Sequence, residues 1–476
     1  MNNHRKTKII ATLGPKTSSE EAVKELIIHG VNTFRLNFSH GTHEQIKNLI
    51  DIINKTKKDL NKSVSILADL QGPKIRTGET PGNQQILLKH GKDVYLTSKA
   101  VICSSDLIHV SYKHLVKDVK KNERILINDG LIALKVIEID VLNNQIKCKV
   151  ENSGFYSSHK GVNFPDSTLS VPALTKKDEN DLKFILTQKI DYIALSFVRK
   201  ADDLKKLISL IPKSNNLRII AKIEKPEAID NIADIIDNSD GIMVARGDLG
   251  VETSIAKVPL IQKDLINYAI VKAKTVIVAT QMLESMIHHY LPTRAESTDI
   301  TNAILDGADA LMLSGETAVG DYPYMSVQMM SDIIMETEHS PHYPKSIIDL
   351  DFNSHSASQA ICDAAAYASK DLNDCPVLVF TLSGQTAWYL SNTRIQGSIF
   401  AFSPDKIVVS QLALAWNTNS FKVTKRKDMM SLINEAERCL VDNGFAYNND
   451  MVIIISGALI IPGSTNNLRI KRIGKN

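Results

Sequence analysis

Cysteine is scarce in this 476-residue chain: only Cys103, Cys148, Cys362, Cys375 and Cys439 occur. Their number is odd, they are scattered and none forms a CxxC pair. That argues against a disulfide framework or a zinc site and fits a reducing compartment. Long apolar runs are also missing. The most apolar stretch, MVIIISGALIIP at 451–462, is too short to span a bilayer and is broken by Ser and Gly. The amino-terminal MNNHRKTKIIATLGPK holds no apolar segment of signal-peptide length. These absences predict a cytoplasmic protein with no membrane partner. Charge of one sign is not in excess: 56 Lys and Arg against 53 Asp and Glu leave a net +3, far from the basic balance of a nucleic-acid binder. Neither GxxxxGK(S/T) nor a GxGxxG after a strand is present. P-loop enzymes and Rossmann dehydrogenases are therefore unsupported, and any nucleotide must be held by another device. Internal repeats, low-complexity tracts and a long disordered tail are absent as well.

What is present is ordinary core-forming material, 43% hydrophobic and 23% charged, enough chain for about three domains. Short β-branched runs alternate with amphipathic helical stretches. Strands are expected near 8–13, 31–36, 64–69, 191–197, 218–223, 240–245, 275–280 and 309–313. Capping-box spacings open helices at Ser18/Glu21, Thr42/Gln45, Thr175/Asp178 and Thr293/Glu296, and Gly30 stands where the first helix should stop. Eight such strands, apolar on both faces, predict a (β/α)8 (TIM) barrel in an α/β protein, occupying 1–72 and 161–342. The stretch 73–160 alternates in period two between Gly, Asn and Asp turns and predicts an inserted small β-barrel, placed to act as a lid. A second βα series at 343–476 predicts an open α/β domain. Its helices are expected at 355–371, 385–394 and 405–415, and its strands near 376–381, 398–402, 451–456 and 468–473.

A barrel enzyme gathers polar side chains at the carboxyl ends of its strands. Strand after strand does so here: Arg35-Leu36-Asn37-Phe38-Ser39-His40-Gly41, Asp69-Leu70-Gln71-Gly72-Pro73-Lys74-Ile75-Arg76, Lys222-Ile223-Glu224, Arg246-Gly247-Asp248, Thr280-Gln281 and Ser314-Gly315-Glu316-Thr317. Residues two apart on a strand share a side, so Lys222 meets Glu224, and Arg35, Asn37 and Ser39 align where their strand stays extended. Glu224 and Asp248, with little sulfur or imidazole nearby, suit Mg²⁺ or Mn²⁺. Arg35, Lys74, Arg76 and Lys222 would surround that ion with positive charge, fitting a phosphorylated substrate. The backbone N–H groups at Gly247-Asp248-Leu249 suit a carboxylate or phosphate. No nucleophile–base pair is evident, which fits phosphoryl transfer, where positioning and charge neutralisation dominate. Singly, each feature has a plainer meaning. A Lys-x-Glu pair is usually a salt bridge, Arg246-Gly247-Asp248 is an adhesion tripeptide only by coincidence, and His288-His289 and His43-Glu44 read as surface residues. Six strand ends together are not accidental.

The segments TKIIATLGP, FRLNFSHG, ADLQGPKIRTG, KGVNFP, ALSFVRKA, AKIEKPEAI, GIMVARGDLGVE, ATQMLESM, PTRAESTDI and ILDGADALMLSGETAVGDYP resemble, in order, the signatures of the pyruvate kinase family. The resemblance runs from 6 to 473, and the pairing of MVARGDLGVE with ATQMLESM carries most of its specificity. It implies Mg²⁺-dependent phosphoryl transfer from phosphoenolpyruvate to ADP, giving pyruvate and ATP, as the last step of glycolysis, by a homotetramer. Arg35 would hold the phosphoryl group and Lys222 would stabilise its transition state. Glu224 and Asp248 would bind the metal, and Gly247, Asp248 and Thr280 would seat the substrate carboxylate. Asn37, His40, Arg76 and Lys160 would contact the nucleotide, and Thr280 and Ser314 would lie where enolpyruvate is protonated.

Many family members need K⁺ and carry Thr-Lys-Gly-Pro-Glu where Leu70-Gln71-Gly72-Pro73-Lys74 stands here. The ammonium of Lys74 supplies the positive charge a monovalent ion would bring, so K⁺ is not expected to be required. Asn37, Ser39, Asp69 and Leu70 nevertheless retain the ligand types of a monovalent-cation site. In the last domain, Thr381, Ser383, Gly384, Gln385 and Thr386 form a hydroxyl-rich strand-to-helix turn, with Gly463-Ser464-Thr465-Asn466 expected nearby. The turn resembles the family's effector-phosphate loop, with Gln385 in place of the usual basic residue, and implies activation by AMP or a sugar phosphate. A lyase using metal-bound pyruvate enolate would not need Lys222, Arg76 and the insert. An inactive metabolite sensor would be expected to have lost Lys222, Glu224 or Asp248, and all three are present.

Overall fold

The computed structural model describes residues 5–344, 356–424, 428–457 and 465–475. Its centre is a closed barrel of eight parallel strands: β1 (Lys8–Thr12), β2 (Thr33–Asn37), β3 (Ser65–Asp69), β4 (Tyr192–Leu195), β5 (Arg218–Ile223), β6 (Gly241–Ala245), β7 (Thr275–Ala279) and β8 (Ala310–Leu313), with β8 pairing β1 to close it. Most strand residues are buried because helices cover the outer face while side chains such as Ile10, Leu67, Ile220, Met243 and Met312 fill the inside. Capping boxes form at Thr42/Gln45, Thr175/Asp178 and Thr293/Glu296 as expected. The first helix, Glu20–Ile28, is instead capped by Ser19, one residue later than the Ser18 spacing suggests, because Ser19 Oγ accepts the Ala22 N–H. Gly30 then turns the chain at φ 106°.

Between β3 and β4 the chain builds a separate apolar core, including Leu96, Ile125, Leu134 and Ile146, under a six-stranded, mostly antiparallel sheet and a two-stranded pair, Ile86–Leu88 with Gly154–Tyr156. The last strand of the larger sheet, Val162–Asn163, lies just past the expected return point at 160. At the root of the insert its two connections pair: the Thr77 N–H donates to Lys160 O at 2.8 Å, and Arg76 bridges Gly161. The carboxyl-terminal sheet has the order Thr418–Lys422, Ile399–Ser403, Val377–Phe380, Met451–Gly457 and Thr465–Arg472, parallel except at the last strand. Its edge strand Thr418–Lys422 and the helix Met429–Asp442 have no counterpart in the sequence reading. TNSFK is too polar to stand out as a strand and is completed by pairing with Ile399–Ser403.

This last domain seals the amino-terminal end of the barrel. Tyr192 Oη donates to Gln411 O at 2.6 Å, Arg394 pairs with Asp309 at 2.8 Å, and Lys8 Nζ donates to Thr418 O at 2.8 Å. Burial, reinforced by Arg5 and opposed by Glu338, brings the Lys8 ammonium down to about 7. A lysine whose pKa falls on folding binds fewer protons in the native state between that value and its ordinary pKa. Stability therefore rises as pH increases above about 7. One such group contributes at most about 1.4 kcal/mol per pH unit. Lys8→Met should flatten the rise of the thermal midpoint between neutral and alkaline pH. Parallel pH curves for the two proteins would refute this assignment.

Candidate active site

With one end of the barrel sealed, the carboxyl ends of the strands open toward the insert. Lys222, next to last in β5, is buried with Asp69, Ser196 and Glu224. Its Nζ lies 3.2 Å from Asp69 Oδ1, 3.0 Å from Glu224 Oε1 and 2.8 Å from Ser196 Oγ. Three N–H bonds thus meet two carboxylates and one hydroxyl. Burial works against the ammonium, but Asp69 and Glu224 outweigh it, so its pKa is raised and it stays charged. Arg35, from β2, donates from Nε to Asp69 Oδ2 at 2.7 Å and from Nη1 to Thr12 Oγ1 at 3.2 Å. Burial pushes the Asp69 carboxyl up, yet Lys222 and Arg35 hold it below the usual carboxylate range.

Glu224 and Asp248 behave oppositely. Burial raises both; Lys222 opposes, while Asp248 adds to the shift on Glu224, and Asp129 and Glu252 add to that on Asp248. Two hard oxygen groups kept near each other in a buried setting are relieved by a divalent cation. Among the described residues no three His, Cys, Asp or Glu side chains form a metal cage. The pair therefore suits an ion that completes its shell with water and substrate oxygens, as Mg²⁺ does.

Thr280 follows β7 at φ 71° and Gln281 at φ 54°, a conformation costing about 1–3 kcal/mol for a non-glycine residue and typical of functional turns. It brings Thr280 Oγ1 within 2.8 Å of the Gly247 N–H, so that N–H is engaged rather than free as the sequence suggested. Arg246 braces the turn by donating to Thr280 O at 2.9 Å while pairing with Asp299 at 2.7 Å, a structural use for the residue. Ser314 is held by its backbone, whose N–H donates to Glu316 Oε2 at 2.7 Å. The strand expected at 31–36 runs to Asn37, where the chain turns and the Ser39 N–H closes onto Asn37 Oδ1 at 3.0 Å, so the condition for Ser39 to align with Arg35 and Asn37 is not met. His40 sits amid positive charge: burial first, then Lys74, Arg76, Arg35 and Lys177, lower its pKa. Lys160 and Arg76 are brought together at the root of the insert. A cleft there is lined by Lys74, Asp129, Asn163, Lys225 and Asp248, among others.

The residues expected to take a monovalent cation are engaged within the protein. Asp69 serves Arg35 and Lys222, Asn37 Oδ1 accepts from Ser39, and Leu70 O accepts the Ser196 hydroxyl at 2.8 Å. Ser196 and Phe197 are the pair the sequence reading missed. They follow β4, where the same strand-end rule would have found them. Phe197, at φ 56°, donates its N–H to Glu224 Oε2 at 2.7 Å. Gly72 packs so close that an added Cβ would lie 2.9 Å from the Phe197 ring and 3.0 Å from Ser196 Cβ.

The turn Thr381–Thr386 lies in the carboxyl-terminal domain, apart from these groups. Thr381 Oγ1 accepts the Gly384 N–H at 2.9 Å and Thr386 Oγ1 shares a hydrogen bond with Thr465 at 2.7 Å. The Thr381 hydroxyl serves the loop itself and the Thr386 hydroxyl ties it to the strand Thr465–Arg472, while Ser383 is exposed. Gly463 and Ser464 lie outside the described residues.

Residues 4–327 match the family of the pyruvate kinase barrel domain, and residues 359–471 match that of the pyruvate kinase alpha/beta domain. The chain belongs to the pyruvate kinase family. Pyruvate kinases of Staphylococcus aureus strains USA300 and NCTC 8325 are each 40% identical to it over 476 residues, covering 99% of this chain and 81% of theirs. The crystal structure of a pyruvate kinase from Cryptosporidium parvum superposes with a TM-score of 0.90 at 34% identity, covering 98% of this chain and 96% of that one. Family membership makes this a phosphotransferase with phosphoenolpyruvate and ADP as the implied substrates and pyruvate as the product. Among the described residues no helix is long and apolar enough to cross a membrane, and all five cysteines are free thiols.

Proposed function

We propose that the chain moves the phosphoryl group of phosphoenolpyruvate to ADP in a Mg²⁺-dependent reaction, as the cytoplasmic last step of glycolysis. The single observation that carries the reading is the charged, buried Lys222 ammonium, fixed between Asp69, Glu224 and Ser196 at a barrel mouth. Phosphoryl transfer spreads charge over the moving oxygens, and a pre-positioned cation with no solvent to reorganise stabilises that charge. Lys222 turns one N–H from its protein partners to the phosphoryl group, and Arg35 holds the group from β2. The phosphorus–oxygen bond to the enol breaks as a β-phosphate oxygen of ADP takes its place. Asn37, His40, Arg76 and Lys160 hold the nucleotide, and Gly247, Asp248 and Thr280 seat the substrate carboxylate, the Thr280 hydroxyl turning to release the Gly247 N–H. The enolate left behind is protonated beside Thr280 and Ser314. Glu224 and Asp248 would hold Mg²⁺ or Mn²⁺, which supplies Lewis-acid neutralisation of substrate oxygens when bound.

K⁺ is not required in this reading, because Lys74 brings a fixed charge and the protein itself engages Asn37, Asp69 and Leu70. Thr381, Ser383, Gly384, Gln385 and Thr386 take the phosphate of AMP or of a sugar phosphate, which activates the enzyme, and the assembly is a homotetramer.

Pyruvate formation from phosphoenolpyruvate and ADP, coupled to lactate dehydrogenase, tests the whole reading. Turnover should need Mg²⁺ or Mn²⁺, stop on adding EDTA, and change less than about twofold when Na⁺ is replaced by K⁺. No pyruvate with Mg²⁺ present would end the proposal, and a many-fold rise with K⁺ would end its monovalent-cation part. AMP and ribose 5-phosphate added to the same assay test the effector loop.

A further inference from the structure

His43, which the sequence suggested was an idle surface residue, is one end of a hydrogen-bonded chain that reaches the loop after β2. Its Nε2 lies 2.7 Å from Oδ1 of Asp181, a carboxylate that is buried on the helix Lys176–Ile185. The other oxygen of Asp181 accepts from Lys177 Nζ at 2.6 Å, and the same ammonium donates to Phe38 O at 2.6 Å. The carbonyl it grips stands between Asn37 and Ser39. The His43 ring also stacks on Phe184 of that helix, with centroids 4.4 Å apart and planes 5° from parallel. Loop and helix are therefore joined by one charge-assisted contact to the loop's backbone and, at its far end, by the hydrogen bond and the stacked ring of His43. The first turn of the helix has a second attachment: Asp178 Oδ1 accepts the Gly72 N–H at 3.2 Å, where the chain leaves the barrel for the insert.

We propose that Lys177 and Asp181 are positioning residues for the nucleotide: they clasp the loop 37–42 to the helix Lys176–Ile185 and so fix where Asn37 and His40 present themselves. The inference rests on the reading of Asn37 and His40 as nucleotide contacts. The clasp acts on the loop through a backbone carbonyl, so it sets the loop's height above the barrel without touching substrate. Lys222 on β5, Glu224 just after it and Asp248 beyond β6 have no hydrogen bond to it. Releasing the clasp should loosen the nucleotide and leave the phosphoenolpyruvate end of the site in place.

Lys177→Met is the direct test, because this side chain is half exposed and its loss leaves the helix cap and the His43–Asp181 contact intact. A charge-assisted hydrogen bond lost in this way corresponds to about a tenfold rise in KM for ADP. KM for phosphoenolpyruvate should stay within about twofold, as for an ordinary surface change. Lys177→Arg should restore most of the ADP affinity, and Asp181→Asn should shift KM for ADP in the same direction as Lys177→Met. An unchanged KM for ADP in Lys177→Met, or an equal rise in both KM values, would overturn the proposal. His40→Ala measured in parallel separates the two readings. If it raises KM for ADP while Lys177→Met does not, the clasp alone is wrong; if neither does, the nucleotide assignment of the loop falls with it.

Discussion

Lys222→Met should lose about 10³–10⁵-fold in turnover, the range over which a single transition-state cation acts in phosphoryl transfer. Phosphoenolpyruvate should still bind, since Arg35, Gly247 and Thr280 are held by their own contacts, to Asp69, Thr280 Oγ1 and Arg246. The loss should therefore fall on kcat and leave KM for phosphoenolpyruvate within a few-fold. Methionine fills a similar volume but leaves Asp69 and Glu224 without the ammonium they share, so thermal unfolding should be recorded beside the kinetics. A folded Lys222→Met enzyme with near-parental turnover would remove Lys222 from the mechanism.

Asp69→Ala should have the largest effect on stability. Asp69 is 1% exposed and receives Arg35 Nε at 2.7 Å and Lys222 Nζ at 3.2 Å. Removing it takes the paired carboxylate from Arg35 and leaves Lys222 with Glu224 and Ser196 alone, and breaking a buried pair in this way typically costs about 3–5 kcal/mol. The pH dependence carries a signature of its own. Asp69 has a folded pKa below its unfolded value, so its contribution is fully present above the ordinary carboxyl pKa of about 4 and is lost as pH falls through the folded one. The alanine variant should thus be less stable at neutral pH and show a shallower acid limb in urea unfolding. If both proteins unfold at the same urea concentration at pH 7, the network is not what holds the strand ends together.

The barrel was legible because its strands are apolar on both faces and its helices begin with capping boxes, signals written within a few residues of chain. The sequence reading singles out polar groups at six strand ends, and the structure adds Thr12 at the end of β1, which accepts from Arg35, and Ser196 after β4, which accepts from Lys222. Applied to the end of β4 the same rule singles out Ser196, but a lone serine after an apolar run does not name its partners. Only β4 set beside β3 and β5 places that hydroxyl between Lys222 and Leu70 O. Alternation alone leaves open whether Ser39 lines up with Arg35 and Asn37; closure of its N–H onto Asn37 Oδ1 decides that it does not. The edge strand Thr418–Lys422 was invisible for a related reason, since its polar residues become a strand only against a neighbour that supplies the ladder.

By itself the sequence determined the family, the barrel and the chemical kind of each group at its mouth, because those follow from residue type, spacing and period. The tertiary structure alone decided which of those groups are partners: Asp69 engaged by Arg35 and Lys222, Gly247 held by Thr280, and His43 linked through Asp181 and Lys177 to Phe38 O. Such pairings join positions up to 153 residues apart in the chain. No local propensity encodes them; they exist once burial has removed water as the competing partner.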